Sequence, residues 1–162
     1  MRLTDTVEDY LKGLLSLATG GKAARTVALA DLLGVSAAAT SAMLKRLDAA
    51  GLVDYEPYRG ARLTRRGHDE AIRVVRRHRI LETFLVCELG FGADAVHAEA
   101  ERLEHAASDE LIEAMARLLG APECDPHGAP IPARPALPPQ KRRRGALPGS
   151  TPDIMKAAPR AA

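Results

Sequence analysis

The stretch TVALADLLGVSAAATSAMLKRLDAAG, residues 26–51, decides how this chain folds. Thr26 is placed to cap a short helix carrying Val27, Leu29, Ala30, Leu32 and Leu33, which Gly34 can close in a left-handed turn. Ser36 is placed to cap a second helix, with Ala39, Met43, Leu44 and Leu47 on its apolar face and Gly51 at its end. Two short helices joined by Gly34-Val35-Ser36 form a helix-turn-helix pattern. Directly after it, Leu52-Val53-Asp54-Tyr55-Glu56 and Ala61-Arg62-Leu63-Thr64 alternate at period two around the turn residues Pro57-Tyr58-Arg59-Gly60. Helix-turn-helix plus hairpin predicts a winged helix.

Working outward, Asp5 and Glu8 form a capping pair before Val7, Tyr10, Leu11, Leu14 and Leu15, which repeat at helical spacing up to Gly20-Gly21. Downstream, Arg66 to Leu89 reads as one long helix, Asp94 to Ala107 as another, and Ser108-Asp109-Glu110-Leu111 opens a last one reaching Leu119. The expected fold is mainly α: an N-terminal winged helix-turn-helix DNA-binding domain over residues 1–66 and an all-helical domain over residues 67–120. Ten of the eleven prolines fall in residues 122–159. Residues 121–162 are therefore expected to be a disordered Pro/Arg-rich tail, with Lys141-Arg142-Arg143-Arg144 as a solvated charge run.

Composition narrows the classes. Apolar residues make up 46% of the chain, enough for a real core. No apolar run is long enough to span a bilayer and no leader pattern opens the chain, so neither membrane insertion nor secretion is expected and the expected address is cytoplasmic. Cys87 and Cys124 stand far apart with no CxxC pair, which argues against a disulfide framework or a cysteine zinc site. The net charge of +2 conceals a segregation. Residues 25–79 hold eleven basic and six acidic residues, while residues 80–120 hold two basic and nine acidic. A basic block followed by an acidic one suggests two different partners.

The basic block suits double-stranded DNA. Ser36, Ala37, Ala38, Thr40 and Ser41 are short side chains at the start of the second helix of the motif, able to approach base edges closely, and Lys45 and Arg46 follow for phosphate. Arg59 at the wing tip, beside Tyr58, can reach a minor groove or the backbone. The acidic block suits a cation. His97, Glu101, Glu104 and His105 stand at i, i+4, i+7 and i+8 on one helical stripe, and His78 and Glu82 at i and i+4 on the preceding helix. Facing one another, such stripes would form a divalent-metal site between helices. The periodicity equally allows Ala98, Ala100, Leu103, Ala106 and Ala107 to be buried instead, leaving the stripe to solvent. His68 and His127 have no partners at ligand spacing and read as surface residues. No HExxH motif, no nucleophile with a nearby base and no substrate loop is present, which argues against an enzyme.

Four segments carry a resemblance: Asp5-Thr6-Val7-Glu8-Asp9-Tyr10-Leu11, Tyr55 to Thr64, Arg77-His78-Arg79-Ile80-Leu81-Glu82, and His97 to His105. Together they resemble the diphtheria-toxin-repressor family of metal-dependent transcriptional regulators, most of all its manganese-transport-regulator branch, over about residues 4–120. Gly128-Ala129-Pro130-Ile131-Pro132 is similar to the segment that follows the dimerisation domain in that family. The resemblance implies a homodimeric repressor of metal-uptake genes whose two winged helices read a palindromic operator, with residues 67–120 as the metal-binding and dimerisation domain. It implies a primary metal site of Asp9, His78, Glu101, Glu104 and His105. Iron-sensing members place methionine and cysteine at the positions of Asp9 and Glu101, so the oxygen-rich set here points to Mn²⁺, with Fe²⁺ as the alternative. Glu82 and His97, with His78, match a second site that iron-sensing relatives complete with an SH3-like domain, which residues 121–162 are expected to be too few and too proline-rich to supply. One departure concerns Lys12: regulators with a two-metal cluster carry glutamate there, and an ammonium would repel a second cation or pair with a carboxylate. A metal-independent winged-helix regulator is the remaining alternative.

Overall fold

The structure is a computed structural model that describes residues 3–18 and 22–135. Its elements run α1 (Asp5–Leu17), α2 (Thr26–Leu33), α3 (Ala37–Ala49), β1 (Val53–Glu56), β2 (Gly60–Leu63), α4 (Arg65–Cys87), α5 (Ala93–Glu104) and α6 (Asp109–Leu118). The mainly α architecture with a two-stranded wing is the one expected.

Local chemistry sets the boundaries. Gly34 takes the left-handed conformation (φ +65°) that ends α2, and the chain then turns through 109° into α3. That angle is characteristic of a helix-turn-helix. Ser36 caps α3 by accepting the Ala39 N–H at 3.1 Å, Thr64 caps α4 through the Gly67 N–H at 3.1 Å, and Ser108 caps α6 through the Leu111 N–H at 3.2 Å. Two expected caps are displaced by one residue. Thr4 and Arg25 hold the extended cap conformation before α1 and α2 without a side-chain bond, so Asp5 and Thr26 are already helical. The second helix of the second domain, α5, also ends earlier than its apolar pattern suggested, at Glu104, with His105 as its cap residue.

The wing is an antiparallel hairpin in the register Val53↔Leu63 to Glu56↔Gly60, extended by a two-hydrogen-bond bridge from Ala24 to Ala61. Behind it, Tyr10, Leu11 and Leu14 of α1 close over Leu29, Leu44, Leu47, Leu52 and Val53 as one apolar core. A second core joins Ile80, Leu81, Ala100, Ile112 and Ala116 of α4, α5 and α6. Gly67 lets α4 begin against the wing, since a Cβ there would sit 1.9 Å from the Leu52 carbonyl oxygen. The helix α4 thus belongs to both halves.

The ordered chain does not stop at residue 120, which corrects the expectation for the first part of the tail. Residues 123–131 form a tight reversal in which Cys124 pairs with Pro130 and Asp125 Oδ1 accepts the backbone N–H groups of His127 and Ala129, both at 2.9 Å. Ile131 packs on the second core, Arg76 of α4 donates to the Pro132 carbonyl at 3.0 Å, and Arg79 donates to that of Pro130. Ordering survives the prolines because α4 supplies donors for carbonyls that no helix or sheet would satisfy. The remaining tail, with Lys141 to Arg144, lies outside the described residues. Among the described residues no single helix is long and apolar enough to cross a membrane.

Candidate functional site

Helix α1 is two-faced. Its apolar side closes the wing core, while Glu8, Asp9 and Lys12 lie one turn apart and turn toward α4 and the end of α5. His105 stands between two of them. Its Nδ1 is 2.8 Å from Glu8 Oε2 and its Nε2 is 3.0 Å from Asp9 Oδ1, with Glu104 Oε1 at 3.6 Å. Donor atoms of Asp9, Glu104 and His105 lie within 4.8 Å of one another. Two ligands about 2.1 Å from one ion stand about 3 to 4 Å apart, so small closure fits this set to a divalent cation. The oxygen-rich chemistry suits a hard ion.

Charge is balanced tightly here. Glu104 is fully buried, and burial alone would raise its pKa; the hydrogen bond from His78 and the Lys12 ammonium outweigh that and hold the carboxyl below its usual range. Burial raises Asp9, with His105 only partly offsetting it. For His105 burial works downward, but the Glu8 hydrogen bond and the charges of Asp9 and Glu104 lift the imidazole above its usual value. Lys12 Nζ reaches Glu104 at 2.9 and 3.2 Å, His78 Nδ1 at 3.5 Å and Glu101 at 3.8 Å. The carboxylate pairing expected of Lys12 is therefore observed.

The five residues expected at the primary site do not converge equally. Asp9, Glu104 and His105 come together; Glu101 stays at the rim, its side chain 54% exposed, between Lys12 and His97. His78 stands between two groups. Its Nδ1 is 2.5 Å from Glu104, while its Nε2 forms a triangle with Glu82 Oε1 and His97 Nδ1 in which every side is 3.0 Å. The second set of His78, Glu82 and His97 is thus compact. Sequence reasoning missed Glu8 and Arg77. Both are buried, and Arg77 grips the Glu8 carboxylate at 3.2 Å, the Glu104 carbonyl at 3.2 Å and Asp109 at 3.4 Å. It also missed the partners of His127, whose Nδ1 lies 3.8 Å from Glu82 Oε2. His68 is exposed, as expected.

On the opposite half, Ser36, Ala37, Ala38, Lys45 and Arg46 are exposed and Ser41 is half-buried. Thr40 corrects the expected DNA-facing set. It is wholly buried beside Leu44 and Leu47, its hydroxyl donating to the Ser36 carbonyl at 3.1 Å and lying 3.5 Å from Tyr10 Oη. Ala39, expected inside, is exposed instead, while Met43, Leu44 and Leu47 meet the core as expected. Ala37, Ser41 and Lys45 line a groove against Tyr55, Pro57 and Tyr58 of the wing. Arg59 projects from the wing tip and pairs with Glu56 at 3.1 Å.

Fold and site define a class: winged-helix DNA-binding proteins joined to a helical domain bearing clustered imidazole and carboxylate groups. Residues 2–61 match the model of the iron-dependent repressor N-terminal DNA-binding domain, and residues 64–133 match that of the iron-dependent repressor metal-binding and dimerisation domain. The chain belongs to this iron-dependent repressor family, whose members are metal-dependent transcriptional regulators rather than enzymes. It is 38% identical over 112 residues to an uncharacterised helix-turn-helix transcriptional regulator of Methanocaldococcus jannaschii, covering 68% of this chain and 90% of that protein. It is 35% identical over 130 residues to the iron-dependent repressor IdeR of Mycobacterium bovis, covering 80% of this chain and 56% of that one. A solved manganese-dependent transcriptional repressor in complex with manganese superposes with a TM-score of 0.73 at 44% identity, covering 82% of this chain and 63% of that one. The chain thus spans little more than half of the mycobacterial relative.

Proposed function

We propose that this chain is a Mn²⁺-activated repressor that binds a palindromic operator as a homodimer in the cytoplasm and controls metal-uptake genes. The observation that carries the reading is the position of Asp9. It stands on α1, whose other face closes the wing core, yet its carboxylate meets His105 and Glu104 of the helical domain. A bound divalent cation supplies positive charge shared by ligands from both halves. Asp9, Glu104 and His105, joined by Glu101 from the rim and the buried His78 beside Glu104, would hold it. Their convergence fixes α1, and with it the DNA-reading α3, at one angle to α4 and α5. The protein then shifts toward the DNA-competent arrangement by the difference in metal affinity between its arrangements. Ala37, Ala38, Ser41, Lys45 and Arg59 would meet the operator. The carboxylates favour Mn²⁺ over softer ions.

Gel shift with operator DNA and Mn²⁺, Fe²⁺ or EDTA tests the reading. DNA binding is expected with Mn²⁺ and lost with EDTA. Equal binding in EDTA would mark a metal-independent regulator, and preferential activation by Fe²⁺ an iron-dependent one. Replacing Glu101 and Glu104 by Ala is expected to abolish metal-activated binding while leaving the dimer intact, as measured by sedimentation.

A further inference from the structure

Helix α1 meets both ring nitrogens of His105, but the two carboxylates it uses are not equivalent. Nε2 faces Asp9 Oδ1 at 3.0 Å and Glu104 Oε1 at 3.6 Å, both of them groups of the cation-binding set. Nδ1 faces Glu8 Oε2 at 2.8 Å. Glu8 is already matched in charge: the buried Arg77 donates through Nη1 to both of its oxygens and through Nη2 to Oε1, all at 3.2 Å. A carboxylate neutralised by a guanidinium is a poor ligand for a cation yet remains a strong acceptor for an N–H. Arg77 is anchored in turn, since Nη1 also reaches the Glu104 carbonyl at 3.2 Å and Nε lies 3.4 Å from Asp109 Oδ1. The guanidinium thus fixes Glu8 of α1 against the end of α5 and the start of α6. A neutral imidazole carries one hydrogen, placed by its neighbours. Asp9 is half-exposed and can accept from water, whereas buried Glu8 has only Arg77 and the ring, so the hydrogen belongs on Nδ1.

We infer that Glu8 and Arg77 are positioning residues for the cation: Arg77 sets Glu8, Glu8 holds the ring hydrogen of His105 on Nδ1, and Nε2 is thereby presented as the ligand atom beside Asp9 and Glu104. This deepens the metal-activated reading above and rests on it. A cation on Nε2 makes the Nδ1 hydrogen a stronger donor, so an occupied site tightens the hold of His105 on Glu8 as well as on Asp9. Both residues lie on α1, whose other face closes the wing core, and the helical domain therefore grips the DNA-reading half through two adjacent carboxylates, only one of which touches the ion.

The test compares the full chain with Glu8→Gln and with the double variant Glu8→Gln, Arg77→Met. Glutamine keeps the size of Glu8. Arg77 donates two bonds to Oε1 and one to Oε2, so the glutamine oxygen takes the Oε1 place and its NH₂ group faces His105. That donor demands a lone pair on Nδ1, which drives the ring hydrogen onto Nε2 and closes the ligand position. Mn²⁺ affinity measured by calorimetry should fall about tenfold or more in Glu8→Gln. Long-range ¹⁵N–¹H spectra of metal-free protein at about pH 9, above the ordinary imidazole range, should place the His105 hydrogen on Nδ1 in the unaltered chain and on Nε2 in Glu8→Gln. A role confined to stability is separated by the double variant, because removing both members of a buried ion pair relieves the damage of removing one. It should regain much of the urea resistance that Glu8→Gln loses and none of the Mn²⁺ affinity. Recovery of affinity together with stability would overturn the inference, as would unchanged affinity or an Nδ1 hydrogen in Glu8→Gln; should Glu8→Gln fail to fold, the double variant decides on affinity alone. Operator binding indifferent to Mn²⁺ in the unaltered chain would instead remove the repressor reading and leave the affinity and spectra to decide this one.

Discussion

His105 is held from both sides by one helix, Glu8 on one ring nitrogen and Asp9 on the other, and its proton is held more firmly for it. In metal-free protein the stability from this imidazolium is complete below about pH 6.5 and declines as pH rises through the raised folded value. In the proposed site a cation would displace that proton, so affinity for Mn²⁺ should increase with pH over the same interval. Calorimetry in buffers of different ionisation enthalpy at about pH 6, 7 and 8 should show protons released per ion bound, fewest at the highest pH; affinity independent of pH would contradict this. Glu8→Ala leaves the buried Arg77 guanidinium without its closest carboxylate and should cost about 3 kcal/mol in urea denaturation of the metal-free chain. Glu8 escaped sequence reading because an acidic residue in a helix's first turn ordinarily faces the dipole and solvent. The His97 to His105 stripe was legible, since i, i+4, i+7 and i+8 positions share a face whatever else the chain does. Its division into two donor groups was not in the periodicity and came from the resemblance, because it depends on where Glu104 and Lys12 meet.

Among the elements, α3 was found with Met43, Leu44 and Leu47 facing the core, but its first inner position was misread by one residue. Apolarity favoured Ala39, yet a threonine hydroxyl that bonds back to its own helix is cheap to bury and Thr40 took the inner place. Thr40→Val should therefore change stability by about 1 kcal/mol in thermal melts and leave sequence preference on DNA unchanged, whereas Lys45→Ala should weaken binding to all sequences alike. At the start of α4, Gly67→Ala forces a methyl group against the Leu52 carbonyl and should destabilise by about 2 kcal/mol or more. Its glycine reads in sequence as a weak helix position, since close approach of a wing carbonyl leaves no periodic trace.

For the whole molecule, the basic block is smaller toward DNA than its eleven cations suggest. Arg73 pairs with Glu70, Arg76 with Glu113, Arg77 with Glu8 and Arg79 with Asp125. The order of domains was legible from turn residues and periodicity, but the docking of residues 123–132 was not, because arginines that bind backbone carbonyls look like solvated charge. Arg76→Ala should accordingly lower the melting temperature and leave the salt dependence of DNA binding unchanged, while Arg59→Ala should reduce that slope by about one phosphate's worth. The beginning of α4 against the wing has a mechanical consequence. A helix of 23 residues is about 34 Å long, so a tilt of about 5° at the imidazole-bearing end swings the wing end by about 3 Å. Successive bases rise by about 3.4 Å. Angular play of a few degrees is thus a slip of nearly one base pair, and a pair of reading heads on a common axis loses its place on the duplex unless the joint between the halves is stiff.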